Sequence, residues 1–459
     1  MSEVEQRVTS PDQPTAPTQN LARGRVTRRE LFRTAGGLAL SASVLPLLGR
    51  AVEGAGTPSE IKLGAIYPLS GNFANVAVEF KNAAEMALDF INGINGKPPF
   101  ATDLPLAKGQ GIPRLNGAKL KIVFADSQGK PELAQNDANR LIKVEKCVGL
   151  FGCYTSGTTV TASQVAERNG IPFINPDSSS PRLTRRRLKW FVRIQPDDIL
   201  FSQNFFDFLK DLKAKRPDIK ASRLALLHEN TTFGTDAANA QAKLAQQHGY
   251  EIVANVEHPT PASQVTSDVE KLKVAKPDIL MQTSYFAEVA LFLKAFKQLD
   301  FNVQALIGND AGYTDESYLA NVKSEGDYAI TRAMWADDIA GKKGLAKKIS
   351  EYYKQKYKIE FTENAGLPFI GVFVFADALN RAATTAPAPL MKAIMATHIS
   401  ADQNIFPWGV KFDASQGGQN TLASAVIEQV QKGKYVTVWP FDVAAEQVIW
   451  PVPPWSQRR

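Results

Sequence analysis

From residue 60 onward, short apolar runs alternate with longer segments whose apolar residues recur every three or four positions. Residues 61–66 and 120–125 have the continuous apolar character of buried strands, and residues 78–94 between them have the spacing of a helix with one buried face. Strands that alternate with helices of this length form βαβ units and a parallel sheet. The chain is therefore predicted to belong to the α/β class.

The same pattern begins again after residues 193–195, where the chain is predicted to pass into a second α/β half. The first half adds strands at 148–152 and 172–174 and helices at 131–146 and 158–169. The second half has predicted strands at 224–228, 251–253, 279–281 and 304–307, and predicted helices at 234–248, 265–273 and 288–298. Open α/β sheets bind ligands beyond the carboxyl ends of their strands. Two such halves predict a bilobed protein with a binding cleft between the lobes.

Composition excludes several other classes of protein. The 459 residues are 44% hydrophobic and 22% charged, unlike collagen-like, coiled-coil or wholly disordered chains. The formal charge of +7 is a mild excess for this length and argues against a nucleic-acid partner. Only 4 histidines argue against a histidine-based metal site. Cys147 and Cys153 flank one predicted strand, roughly 20 Å apart, and are expected to be free thiols.

The N-terminal segment is predicted to be an export signal. Residues 1–20 are rich in Pro, Thr, Ser and Gln and are expected to be disordered. Arg28 and Arg29 precede an apolar run at 34–48, which is too short to span a bilayer comfortably, since spanning takes roughly 20 residues. This arrangement resembles a twin-arginine signal and predicts a periplasmic protein exported by the twin-arginine translocase, with the signal ending near residue 55. There are two alternatives. The segment could be a basic arm followed by a short buried helix, or the signal could stay uncleaved and anchor the protein in the membrane.

Five segments of the remaining chain resemble the periplasmic solute-binding proteins of the branched-chain amino acid (Leu/Ile/Val-binding) ABC transporter type. They are residues 61–71 with Pro68-Leu69-Ser70-Gly71, the turn at 126–131, residues 152–159, residues 170–181 and residues 228–234. The resemblance covers residues 60–440 and implies the class I periplasmic-binding fold, in which two Rossmann-like lobes with parallel central sheets are joined by three crossovers.

The resemblance also implies domain bounds. The crossovers are expected near residues 193, 332–335 and 409–413. The first lobe would then comprise residues 56–193 and 334–410, and the second lobe residues 194–333 and 411–442. Residues 443–459 are expected to form a loose tail, and the Pro- and Gly-rich residues 97–116 a surface insertion.

Two loops of the first lobe carry hydroxyl groups suited to a ligand's carboxylate. Residues 153–158 lie between a strand and a helix, and a helix N-terminus suits an anion. The resemblance assigns the carboxylate to Ser156, whereas the residues alone also allow a plain helix cap by Ser156 or Thr158. In residues 176–181 it assigns backbone contacts to Ser178 and a carboxylate- and ammonium-binding hydroxyl to Ser179, the alternative being an ordinary serine-rich turn. Asp177 replaces a small residue there, and its charge would repel a carboxylate unless it points away.

The second lobe supplies the remaining candidates. The resemblance makes Tyr285 an aromatic cover for the ligand and Asp310 the partner of its ammonium group; a surface aspartate in a turn is the alternative for Asp310. Phe233 keeps the pocket wall but lacks the hydroxyl that is frequent at its position, and Val76 stands where an aromatic residue is common. These departures leave room for a small carboxylate or amide as well as an aliphatic amino acid.

The resulting hypothesis is a periplasmic binding protein that captures a small solute by hinge closure and delivers it to an inner-membrane ABC permease. A ligand sensor of the same fold is the alternative. An enzyme is not expected, because the chain has no nucleophile elbow, phosphate-binding loop, Cys-x-x-Cys or His-Glu-x-x-His motif, and no cofactor or metal is expected. His228 could line the cleft or be structural, and the basic run at 182–189 is expected to be a solvated face or a docking surface.

Overall fold

The computed structural model describes residues 59–340, 342 and 344–458; the predicted export signal lies outside these residues. The described chain is an α/β protein with two central sheets, which confirms the predicted class. Its strands are β1 (Glu60–Tyr67), β2 (Lys119–Asp126), β3 (Gly149–Gly152), β4 (Phe173–Asn175), β5 (Phe191–Arg193), β6 (Arg223–Glu229), β7 (Glu251–His258), β8 (Ile279–Thr283), β9 (Ala305–Gly308), β10 (Ile330–Ala333), β11 (His398–Ile399), β12 (Val410–Asp413), β13 (Gln419–Asn420), β14 (Val426–Gln431) and β15 (Lys434–Trp439).

The helices cover the two sheets. They are α1 (Ala74–Asn92), α2 (Pro131–Lys143), α3 (Ser156–Asn169), α4 (Arg182–Arg185), α5 (Asp198–Lys215), α6 (Thr232–Gln247), α7 (Thr266–Ala275), α8 (Phe286–Gln298), α9 (Tyr318–Val322), α10 (Asp337–Ala340), α11 (Gly344–Tyr357), α12 (Glu363–Ala382) and α13 (Pro387–Met395). Among the described helices, α12 alone has the length and apolar composition of a membrane span, and most of it is buried inside the protein.

Each lobe is built on one sheet. The first sheet has the order β11-β12-β13-β5-β4-β3-β1-β2, and the second has the order β15-β14-β10-β9-β8-β6-β7. Strands β1 to β5 and β6 to β10 pair in parallel, whereas β14 and β15 add an antiparallel edge to the second sheet. Because the strands are parallel, the loops at their carboxyl ends gather along one edge of each sheet.

The chain crosses between the lobes three times, and one expected crossover is wrong. It passes into the second lobe between β5 and α5, and it leaves the second lobe after β10. The expected third crossover at 409–413 instead forms β12, which pairs with β13, and β13 pairs with β5 of the first sheet. Val410 and Phe412 are buried against the first core, so the chain crosses only at residues 421–425.

Residues 443–458 do not form a loose tail, because they pack on the second lobe. Trp450 and Val452 are buried, and the Val452 N–H donates to the Gln304 carbonyl at 2.8 Å. The 97–116 segment also contributes to a core, since it buries Leu104 and Ile112 in the first lobe. The apolar residues of this segment follow neither a helical nor a strand period. For this reason the sequence analysis placed the segment at the surface.

Candidate ligand-binding cleft

The loop between β3 and α3 presents a helix N-terminus to the space between the lobes. Thr155 caps this helix, since its Oγ1 accepts a bond from the Thr158 N–H at 3.4 Å. The capping role considered for Ser156 or Thr158 is therefore wrong. Ser156 is the first helical residue, and its Oγ accepts a bond from the Ser180 N–H at 3.3 Å. Its side chain thus lies between the two hydroxyl-rich loops.

The second loop is fastened to the first by Ser178. The Ser178 hydroxyl donates to the Cys153 carbonyl at 2.8 Å and lies 2.6 Å from the Thr159 hydroxyl. Ser178 and Ser179 are both almost fully buried, and the Ser179 carbonyl accepts a bond from the Asp198 N–H at 3.0 Å. The two loops therefore form one wall of fixed geometry at the carboxyl ends of β3 and β4. Cys147 and Cys153 are buried free thiols, as predicted.

Asp177, the unexpected acid of the second loop, is held by β1. Its Oδ2 accepts a bond from the Tyr67 hydroxyl at 2.8 Å, and its Oδ1 has no hydrogen-bond partner among the described residues. Burial, together with the negative charge of Asp310, raises the pKa of Asp177 well above its ordinary value. The neutral acid is thereby favoured, which removes most of the repulsion that its charge would exert on a bound carboxylate.

Four aromatic rings, two from each lobe, meet across the cleft. Phe73 and Tyr154 of the first lobe lie 4.8 Å and 5.7 Å, between ring centroids, from Tyr285 of the second lobe. Phe233 packs against the other side of Tyr285 at 5.4 Å. A cavity of about 50 Å³ remains beside these rings, and Val76 lines it. The lobes thus contact each other through an aromatic cluster, defined as Phe73, Tyr154, Phe233 and Tyr285.

Asp310 lies in the second lobe at the end of β9 and belongs to a buried charge network. One of its carboxylate oxygens accepts a bond from the Thr314 hydroxyl at 2.9 Å, and the other pairs with the Arg332 guanidinium. Its backbone has φ 57° and ψ −152°, a combination that costs a non-glycine residue free energy and occurs mainly at functional sites. The alternative of an ordinary surface aspartate is wrong, because the side chain is only 14% exposed.

Arg332 is fully buried and connects Asp310 to the other lobe. Its guanidinium lies 3.2 Å from the Glu363 carboxylate at the start of α12 and 3.5 Å from the centroid of the Phe201 ring. Burial raises the pKa of Glu363 to about 8, although Arg332 opposes this change. Burial likewise raises the pKa of Asp198 to about 7, against the lowering effect of the Ser179 hydroxyl and the Asn309 amide. The network therefore joins the two lobes behind the cleft.

A second contact joins the lobes at the cleft rim. Asp236 of α6 accepts a bond from the Ser180 hydroxyl at 2.5 Å and pairs with Arg182 at 3.1 Å. Ser180 is the same residue whose N–H donates to Ser156. The rim contact therefore involves the second hydroxyl-rich loop itself, in which Ser180 follows Ser179.

Sequence reasoning missed several residues of this cleft. Phe73, the residue before α1, supplies an aromatic ring three positions ahead of Val76, which stands where an aromatic residue is common. Arg332 and Glu363 carry a signal that could have found them, because Arg332 is the one charged residue of strand β10 and Glu363 is the first residue of the largely apolar helix α12. His228 is buried, and its Nδ1 lies 3.0 Å from the Glu229 carbonyl, which favours the structural role. No cluster suited to a metal ion occurs among the described residues.

Comparison with known proteins places this geometry in a family. Residues 60–434 match the profile of a family described as periplasmic binding protein. A Leu/Ile/Val-binding protein homolog from Brucella melitensis is 28% identical over 414 residues, which cover 89% of this chain and 98% of the relative.

Two solved structures show the same fold. One is a branched-chain amino acid transporter substrate-binding protein from Streptococcus pneumoniae in complex with isoleucine, with TM-score 0.68 and 18% identity over 85% of this chain and 100% of that chain. The other is the solute-binding protein of an ABC transporter from Rhodopseudomonas palustris in complex with 3,4-dihydroxybenzoic acid, with TM-score 0.68 and 18% identity over 82% of this chain and 95% of that chain. The two-lobed class I fold expected from the sequence is confirmed.

Proposed function

The chain belongs to the periplasmic binding protein family, and we propose that it is the substrate-binding component of an ABC importer. Its solute is a branched-chain amino acid or a related small amino-acid-like, amide or carboxylate compound, which it delivers to an inner-membrane permease. The observation that carries this proposal is the meeting of the two lobes at the carboxyl ends of their parallel strands. Hydroxyls, a helix N-terminus, aromatic rings and a carboxylate converge there.

The first-lobe wall is suited to the ligand's carboxylate. The first turn of α3 offers N–H groups that have no helical partner, and Ser156 is the first residue of that turn. Ser179, in the neighbouring loop, is the second proposed hydroxyl. The backbone of Ser178 completes this wall because the Ser178 side chain fastens the loop to its neighbour. The aromatic cluster then covers the apolar part of the solute, with Val76 beside it.

Asp310 is the proposed acceptor for an ammonium group. It is paired with Arg332, so an amine-bearing ligand shares this carboxylate with a guanidinium that is already buried. An amino acid therefore gains less from Asp310 than it would from a free carboxylate, whereas a ligand without an amine leaves the Asp310–Arg332 pair intact. Because the Asp310–Arg332 pair limits the gain from an ammonium group, the same cleft could bind either an aliphatic amino acid or a simple carboxylate.

Binding proceeds by hinge closure. In the structure the rings of Phe73 and Tyr285 are in contact across the cleft, with a cavity of about 50 Å³ beside them. The lobes must therefore separate to admit a solute and close again upon it. A ligand that contacts both lobes favours the closed state, and the permease recognises that state.

We also propose that the chain reaches the periplasm through the twin-arginine pathway. Arg28 and Arg29 carry this proposal, together with the apolar run that follows them. A chain in which both are changed to lysine should remain in the cytoplasm, as judged by fractionation of cells. Unchanged export of that variant would contradict the proposal.

A thermal-shift panel tests the proposed solute class. Leucine, isoleucine, valine, small amides and benzoate are added separately, and a ligand at about 100 times its Kd should stabilise the native state by about 2.7 kcal/mol. Absence of a shift for every compound would overturn the transport proposal. Calorimetry then measures the Kd of each compound that shifts the melting temperature.

Asp310→Asn separates the two ligand classes because it keeps the size of the side chain and removes its charge. We expect loss of binding for an amine-bearing ligand and retained binding for benzoate or another simple carboxylate. Asp402→Asn, on an exposed turn, serves as the matched control. Equal loss of both ligand classes would show that the ammonium assignment is wrong.

A further inference from the structure

A second cavity lies at the hinge, away from the proposed solute site. Its volume is about 430 Å³, and it shares only Asp315 with the small cavity beside the aromatic cluster. Its walls come from the crossover after β10, from the start of α12 in the first lobe and from β14 and β15 in the second lobe. Seven carboxyl groups line it: Asp315, Glu316, Asp337, Asp338, Glu360, Glu363 and Glu428.

Most of these carboxyl groups already have partners. Asp338 accepts bonds from the N–H and the hydroxyl of Thr437, and Asp337 accepts a bond from the Trp335 indole at 2.9 Å. Glu363 pairs with Arg332. Lys434 is the one basic residue that lines the cavity, and it is exposed. The described lining therefore has seven carboxyl groups and one basic residue, and burial raises the pKa of Asp315, Glu316 and Asp337.

Glu428 is the exception, because it is buried and has no partner. Its residue is only 4% exposed, and among the described residues its carboxylate receives no hydrogen bond and pairs with no cation. Burial and the charges of Asp338, Glu363 and Asp337 raise its pKa well above the ordinary value. The neutral acid is therefore favoured when no cation is near, and a cation in the cavity would stabilise the charged form of Glu428.

The apolar part of the lining indicates the kind of cation. Trp335 and Phe361 are buried and stack edge to face with ring centroids 4.8 Å apart, and Tyr435 adds a third ring to the lining. Aromatic faces attract organic ammonium groups and also bury hydrocarbon. A small hydrated metal ion would gain nothing from these rings.

From this lining we infer that the hinge cavity binds an organic ammonium ion of the aliphatic diamine or polyamine class. One ammonium group pairs with Glu428, the hydrocarbon chain lies against Trp335 and Phe361, and a second ammonium group reaches the remaining carboxylates. Since the walls belong to both lobes, the bound amine bridges them on the hinge side.

Calorimetry with cadaverine and spermidine tests this site on the mature chain. We expect binding of both, and Glu428→Gln should weaken it at least about tenfold, the factor that corresponds to loss of one charge-assisted hydrogen bond. Glu351→Gln, which removes an exposed carboxylate of α11, is the matched control and should bind the amines as the unmodified chain does. Lys434→Gln should strengthen binding, because it removes the one basic residue of the lining.

Three outcomes of these measurements would overturn the inference, and a fourth comes from an Asp177 variant. They are no binding at millimolar amine, equal binding by the Glu428→Gln variant, and complete displacement of the amine by equimolar Mg²⁺. Asp177→Asn distinguishes the two cavities, since it alters the solute cleft and not the hinge. Loss of amine binding in that variant would place the amine in the cleft and would also overturn the inference, whereas unchanged binding supports it. The thermal-shift panel of solutes, measured separately, decides the proposed function on its own.

Discussion

Buried carboxyl groups determine much of the chemistry of this cleft. Asp177, Asp198 and Glu363 are each removed from water, and each has a pKa above its ordinary value because burial disfavours the charged form. Glu363 is compensated by Arg332, and Asp177 by the Tyr67 hydroxyl. Such groups are retained at a cost to stability, which is commonly the mark of a binding site.

Asp198 makes this cost measurable. Its pKa of about 7 in the folded protein exceeds that of an unfolded aspartate, so the folded state holds about one more proton than the unfolded state between roughly pH 4 and pH 7. The stability from this group is therefore present at low pH and is lost as the pH rises through 7. We expect Asp198→Asn to reduce the fall in melting temperature between pH 5 and pH 8, as measured by scanning calorimetry. Asp402→Asn should leave that fall unchanged, and a steeper fall in Asp198→Asn would contradict the assignment.

The loop in which a site residue lies was easier to predict than the residue with which its side chain pairs. Ser156, Ser178 and Ser179 follow strands β3 and β4, and the rule that ligands bind beyond strand ends was enough to find their loops. The salt bridge between Asp310 and Arg332 was not foreseen, since nothing in a sequence shows which buried charges meet after folding. Whether these serines contact a solute stays a prediction.

At the scale of elements, the parallel strands were predictable and the short antiparallel ones were not. The inner strands β1, β3, β4, β6, β8 and β9 are buried on most of both faces, so they appear as continuous apolar runs. The edge strands β2 and β7 keep partly exposed residues. Strands β11 and β13 have two residues each, too few to show any period. The third crossover was misplaced for this reason, because β12 and β13 extend the first sheet beyond the expected boundary.

The C-terminal segment should contribute strongly to the second lobe. Trp450 is 6% exposed and lies in the same core as Leu224 and Ile307. Trp450→Ala removes a large buried side chain, and the expected loss is about 3–5 kcal/mol in the free energy of unfolding. Val443→Ala, in the same segment but on an exposed residue, should cost far less. Urea unfolding compares the two variants, and equal small effects would show that the segment is dispensable.

For the whole molecule, closure depends on contacts that do not involve the solute. Lobe separation breaks the ring contact between Phe73 and Tyr285 and the bonds from Ser180 and Arg182 to Asp236. The solute must supply only the difference in free energy between the open and closed states, so every interlobe contact changes its apparent affinity. Residues outside the solute's reach therefore influence its binding.

Asp236 tests this argument because it contacts neither Ser156 nor Ser179 and reaches the first lobe through Ser180 and Arg182. Arg182 is 56% exposed, so its ion pair with Asp236 is worth little, but the Ser180 bond is partly buried and should contribute about 1 kcal/mol to the closed state. We expect Asp236→Ala to weaken solute binding by about five- to tenfold, mainly through faster dissociation. Small-angle scattering should show a larger radius of gyration for the unliganded variant.

Asp218→Ala is the control, and it should change neither the affinity nor the radius of gyration. It removes an exposed ion pair within the second lobe, because its partner Arg216 lies two residues away in the same lobe. Unaltered affinity in Asp236→Ala would mean that the rim contact does not stabilise the closed state.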